Sequence, residues 1–274
     1  MKTIYVNPWG GIIPGNYSCS AVTFTQELEK LEYLVFYVLA AERIFATRYN
    51  EFKDESLDYI RSLGPKFQES FDHIIAHKGD RLILSGKSYE NLPSQMTFSR
   101  TVDSFRLYLK NILTEIIQIK PQLLKSGEKE KLDFILDFDD MQELRKALAE
   151  KKIESLFYLG FKDICEFFES RVGVKLIDAN EDLEKLVLQT RIRNLIVHNS
   201  GKINSEFMRE FPNYKPLVIN GSIRLRYKDL LKENSFILKC VESIDNKITK
   251  KFGLSTAVIS TDKYGPTSGD SGLR

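Results

Sequence analysis

Apolar positions recur at helical spacing along most of the chain. Thr23 or Thr25 offers an N-cap with Glu27 in the first turn, and Leu28, Leu31, Val35, Val38 and Leu39 then mark one helix face. This pattern continues to about Phe52, and a second piece over 54–63 stops at Gly64-Pro65. Pro65 suits the first turn of a further helix running to His77. Thr97 or Ser99 caps a long helix that reaches Ile119 before Pro121, and Ser126-Gly127 marks a joint. Helices at about 128–137, 139–150 and 152–172 follow, and Glu181-Asp182 opens another. Its apolar positions Leu183, Leu186, Val187, Ile192 and Leu195 run up to His198, with Gly201 where a C-terminal cap belongs. Val218 to Leu225 reads as a small hairpin, because Asn220-Gly221 between apolar runs signals a type I′ turn. A last helix spans about 228–251.

Two stretches lack this order. Residues 1–22, rich in Gly, Pro, Asn and Ser, read as an irregular arm with at most a short strand at Ile4–Val6. The tail over 253–274 is rich in Ser, Thr, Gly and Asp and is expected to be mobile. The fold class is therefore all-α, with a β-hairpin near 218–226. The divisions are the arm at 1–22, an N-terminal helical region at 23–125, a second helical domain at 128–252 and the tail.

Composition narrows the function classes. With 42% hydrophobic and 28% charged residues, the chain is that of a globular protein and not of a disordered or fibrous one. Cys19, Cys165 and Cys240 are odd in number and widely spaced, which excludes a disulfide framework or a zinc site of familiar spacing. The N-terminus has no secretory apolar stretch, and the most apolar run, Leu31 to Ala41, is too short and too charged to span a bilayer. The expectation is a soluble cytoplasmic protein that does not engage a membrane. Net charge is +2, yet residues 171–251 hold 16 Lys/Arg against 10 Asp/Glu, an excess compatible with a phosphate-bearing partner.

The stretch that carries chemistry runs from Thr190 to Gly201 and includes Arg191, Arg193, Asn194 and His198. At about 100° per residue, Arg191, Asn194 and His198 line one polar stripe of a helix, while Arg193 lies about 140° from His198. Ile192, Leu195, Ile196 and Val197 are left to anchor the other faces. A guanidinium can grip two phosphate oxygens at once, and a free imidazole titrates at about pH 6.5, so it can take or give a proton at cellular pH. Together they suit attack of an RNA 2′-hydroxyl on the adjacent phosphate. An Arg-His pair near a helix end is also a common structural feature.

The segment Arg193-Asn194-Leu195-Ile196-Val197-His198 resembles the active-site motif of the HEPN superfamily: an Arg, a polar residue, then a short spacer to a His near the helix end. The resemblance covers about residues 128–252. It implies a helical bundle that dimerises to set two Arg-His pairs across one cleft, and a metal-independent endoribonuclease of toxin, abortive-infection or antiviral-defence type. It further implies Arg193, Asn194 and His198 as catalytic residues, RNA as substrate, a homodimer, no cofactor, and a cognate antitoxin or defence-system protein as partner. Arg191, a second candidate for the motif Arg, would assist in substrate binding with Lys202, Arg224 and Arg226. HEPN toxins paired with a nucleotidyltransferase antitoxin carry a Tyr two places after the His, where this chain has Ser200. The rival reading is a non-catalytic HEPN-type module that binds a partner protein or RNA, and a third is an antitoxin-like or scaffold protein.

Other signals are weaker. His73 and His77 stand at i, i+4, but Ile74 occupies the place where a zinc peptidase motif needs its Glu. Asp137-Phe138-Asp139-Asp140 reads as a helix boundary with Asp139 or Asp140 as N-cap. Gly10-Gly11 and Gly64-Pro65-Lys66 match no phosphate loop.

Overall fold

From Cys19 to Ser62 the chain contains neither Gly nor Pro, and it forms one uninterrupted helix, α1. The change of pattern at Asp54 is thus no break, because nothing there removes a backbone donor or relaxes φ. The helix also begins earlier than expected. Ser18 caps it, accepting from the Ala21 amide at 3.1 Å, while Thr23 and Thr25 lie inside the first turns and donate back to the carbonyls of Cys19 and Ala21. The computed structural model describes residues 3–5, 15–62, 91–125, 130–212, 218–219 and 221–260, with positions 64, 65 and 69. The helix expected to reach His77, the joint at Ser126-Gly127 and the two histidines of that first helix lie outside the described residues.

Helix α2 (Asn91–Ile119) is the centre of the bundle and packs against α1 and three later helices, α4 (Met141–Tyr158), α6 (Asn180–Asn199) and α8 (Tyr227–Phe252). Its buried positions, among them Phe98, Val102, Phe105, Tyr108, Leu109, Ile112 and Ile116, make a broad inward face, while Met96, Arg100 and Leu107 form an exposed stripe opposite. It starts six residues before Thr97, with Pro93 tolerated in the first turn where its missing donor costs nothing. Thr97 and Ser99 are buried along the helix and do not cap it.

A 3-10 turn (Pro121–Leu124) and a short helix α3 (Leu132–Leu136) lead to α4 (Met141–Tyr158), whose N-cap position is Asp140. The chain then breaks at Leu159-Gly160, not near 151, and the Gly160 amide donates to the Asp163 carboxylate at 2.9 Å to open α5 (Phe161–Phe167). A π turn (Phe168–Val172) ends at Gly173 with φ +69°. Helix α6 (Asn180–Asn199) carries the Arg-His segment, and α7 (Ser205–Glu210) follows. The last helix, α8 (Tyr227–Phe252), buries Leu230, Asn234, Ile237, Val241, Ile244 and Ile248 at alternating four- and three-residue steps.

Two small sheets complete the fold. Strands β3 (Val218–Ile219) and β4 (Ser222–Ile223) pair antiparallel as the expected hairpin. Of the second sheet the sequence pattern marked only the short strand near Ile4–Val6: β5 (Thr256–Ser260), in the aperiodic tail, lies between β1 (Thr3–Tyr5), parallel to it, and β2 (Gly15–Ser18), antiparallel to it. One buried cluster runs from Tyr17 through α1, α2, α4, α6 and α8 to Ala257. Fastening its lower end is the fully buried Asp245 of α8, which accepts from the Ser18 amide at 2.8 Å, the Ser18 hydroxyl at 2.5 Å and the Tyr108 hydroxyl at 3.3 Å. Burial raises its carboxyl above the ordinary range, against the lowering effect of these hydrogen bonds. No helix among the described residues is long and apolar enough to cross a membrane.

Candidate functional site

Acidic Glu181 and Asp182 lie in the first turn of α6 and His198 in its last, a distribution that suits the helix dipole. Leu186, Ile192 and Leu195 bury the inner face. Termination is abrupt: Ser200 (φ 51°) and Gly201 (φ 73°) are both left-handed, and the Gly201 amide donates to Leu195 O at 2.9 Å. The chain is then stitched to the hairpin, with Ile203 N donating to Gly221 O and Ile223 N to Gly201 O, at 2.9 and 2.8 Å. Helix α2 fastens the same corner, since Gln95 Nε2 donates to Ile223 O at 2.7 Å and Asn91 Oδ1 accepts from Leu225 N at 2.8 Å. The end of the motif helix is thereby held from two sides.

Arg193 and Asn194 are brought together. Arg193 Nη1 donates to Asn194 Oδ1 at 3.1 Å. The rest of the guanidinium faces α2, where Nη2 donates to Asp103 Oδ2 at 3.0 Å and Nε lies 2.9 Å from Oδ1. That Nε is buried and in ion-pair contact, yet it is not aligned for a hydrogen bond. Arg106, one turn further along α2, stands beside the pair with Nη2 donating to the carbonyl of Phe157. Its guanidinium pKa is lowered by burial and then by the neighbouring Arg193, with Asp103 acting in the opposite direction.

His198 is exposed, and no hydrogen bond or ion pair joins it to Arg193 or to any other described residue. Arg191 is also exposed and pairs with Glu210 of α7 at 2.8 Å. The stripe of Arg191, Asn194 and His198 therefore faces outward, while Arg193 turns to the α2 seam as its angular offset requires. Val197 is 49% exposed and does not anchor the helix as expected, because it continues the outward side beyond the reach of α2.

No protein-family model, curated protein or solved structure matches this chain.

The remaining cations are dispersed over the corner that follows. Lys202 is exposed on the segment bridged to Ser222, and its carbonyl accepts from Asn199 Nδ2 at 2.6 Å. Arg224 is half-buried just after β4. Arg226, at the N-cap position of α8, forms a fork with Asp229 (2.8 and 3.3 Å), and this hydrogen bonding holds the Asp229 carboxyl below its usual value. Burial pushes the Cys165 and Cys240 thiols up to about 12, so neither is a ready nucleophile.

Sequence reading missed Asp103, Arg106, Gln95 and Asn91, all on α2. The signal was faint but present: Asp103 and Arg106 are charges at i, i+3 within a stretch otherwise built of Thr, Val, Ser, Phe, Leu and Tyr. A half-buried carboxylate on a helix packed against others is stabilised by a partner, and Arg193 supplies it for Asp103.

Proposed function

We propose that this protein is a metal-independent endoribonuclease of HEPN type, with RNA as substrate and a role as a toxin or antiphage-defence effector. The observation that carries this reading is the exposed His198 at the fixed end of α6, one turn beyond the hydrogen-bonded Arg193 and Asn194. His198 would take the 2′-hydroxyl proton while that oxygen attacks the neighbouring phosphorus. Arg193 would stabilise the phosphorane charge, and the proton would pass to the departing 5′-oxygen, leaving a 2′,3′-cyclic phosphate. Asn194 orients Arg193 through its amide oxygen. Arg191, Lys202, Arg224 and Arg226 would contact the backbone on either side. A homodimer bringing two such helix ends together, in the cytoplasm and under control of a partner protein, belongs to the same proposal.

A second reading, a non-catalytic bundle of the same type that binds a partner protein or RNA, is favoured by one observation. Arg193 is engaged by Asp103 across the α2–α6 seam, where it serves packing as well as chemistry. The two are separated by incubating the purified protein and its His198→Ala variant with total cellular RNA and tRNA in EDTA. Cleavage by the unaltered protein alone, with cyclic phosphate ends, supports the enzyme. Cleavage unchanged in the variant removes His198 from the mechanism, and no cleavage by either favours the binding module.

A further inference from the structure

Arg193 pairs with Asp103, and Arg106 is close enough to both for each to act on its charge. Asp103 and Arg106 are three residues apart and therefore on one face of α2, and Arg193 reaches them from α6. Arg106 donates to the Phe157 carbonyl, which holds its charge at the seam. The cluster keeps a net positive charge in a partly dry place, with Arg193 24% and Asp103 36% exposed. The carboxylate also fits Arg193 incompletely. Nη2 is hydrogen-bonded, but the buried Nε, though 2.9 Å from Oδ1, has no aligned acceptor. Nε thus meets the carboxylate by charge alone, and an anion oxygen placed along its N–H would take the hydrogen bond that Oδ1 does not.

We infer that Arg193 and Arg106 form one anion site on the α2–α6 seam, that the Asp103 carboxylate is its resident occupant, and that an RNA phosphate binds by displacing Asp103. This rests on the RNA reading above. It adds Arg106 as a second phosphate-facing cation and makes Asp103 a built-in competitor that keeps the site closed until a phosphate is delivered. A carboxylate and a phosphodiester offer a guanidinium fork similar oxygen pairs, so the exchange needs side-chain rotation only. The phosphodiester carries one full charge distributed over two free oxygens and can meet both guanidiniums.

The test is binding of a fluorescent 2′-O-methyl oligonucleotide, which cannot be cleaved, followed by anisotropy. Asp103→Asn is expected to tighten binding by about fivefold, the size expected when a competing ion pair is removed. Asp178→Asn, which removes a carboxylate from a surface pair with Lys247, controls for net charge and is expected to change binding less than twofold. The gain must vanish in Asp103→Asn/Arg193→Gln, and Arg106→Gln must weaken binding in both backgrounds. Unchanged or weaker binding by Asp103→Asn, or an equal gain in the control, overturns the proposal. Should Asp103→Asn not fold, the unaltered protein labelled with 15N-arginine answers the question. Titration with the oligonucleotide must shift the Arg193 Nε resonance, and no shift overturns the site. Cleavage without the binding gain would sink this inference alone, and the gain without cleavage by any variant would sink the ribonuclease alone.

Discussion

Gln95 and Gly201 meet at the end of the motif helix: a Cβ added to Gly201 would lie 3.0 Å from Gln95 Nε2, the same atom that donates to Ile223 O at 2.7 Å. Gly201 also has φ +73°, a conformation that side chains resist. One small residue thus lets α6, the hairpin and α2 converge beside His198. Gly201→Ala is expected to destabilise the protein by about 1–3 kcal/mol through backbone strain and crowding of the amide. Urea unfolding midpoints would measure it. Gln95→Ala removes the crowding and one hydrogen bond, so the double variant should lose less than the sum of the single losses.

His198 touches nothing that its removal would leave unsatisfied. His198→Ala should change unfolding free energy by less than about 0.5 kcal/mol, as for other surface positions, and on the proposed ribonuclease reading it also abolishes RNA cleavage. A large drop in thermal midpoint would instead give His198 a structural role.

Asp245 makes stability depend on pH in a direction that can be worked out. Its folded pKa is raised above the ordinary 3.8 by burial, so the neutral form is favoured in the folded state. Its contribution is full below the unfolded value and is lost as pH rises through the higher folded value. Asn at this position does not titrate. The stability of the unaltered protein minus that of Asp245→Asn should therefore fall as pH rises from the ordinary carboxyl value of 3.8. Urea midpoints measured over that rise give the difference, and a difference that rises with pH would contradict the assignment.

Arg191 and Glu210 form an exposed pair, with side chains 44% and 34% accessible. Arg191→Ala should cost no more than about 1 kcal/mol, and less in high salt. If Arg191 contacts RNA backbone, the same change should reduce the slope of log affinity against log salt by about 1. Binding isotherms at several salt concentrations would show whether it does.

What was legible in the sequence was local. The end of α6 at Asn199 with Gly201 beyond it, the span of α8 and the Val218–Ile223 hairpin follow from cap residues, heptad spacing and an Asn-Gly turn, all encoded within a few residues. Helix starts were less legible, because Thr23, Thr25, Thr97 and Ser99 resemble caps but fit equally well inside a helix, where a hydroxyl can bond the carbonyl four residues back.

The sequence by itself determined that this chain is mostly helical, and that Arg193, Asn194 and His198 share one helix whose last turn stops at Ser200. Periodicity and caps act over one or two turns, so neighbouring residues suffice to specify them. Only the tertiary structure decided that Arg193 meets Asp103, ninety positions away, that β5 is clasped between β1 and β2, and that Asp245 receives Ser18 across 227 positions. Such pairings depend on which faces the whole core brings together, and no local pattern marks a carboxylate or an extended segment for a partner so distant in the chain.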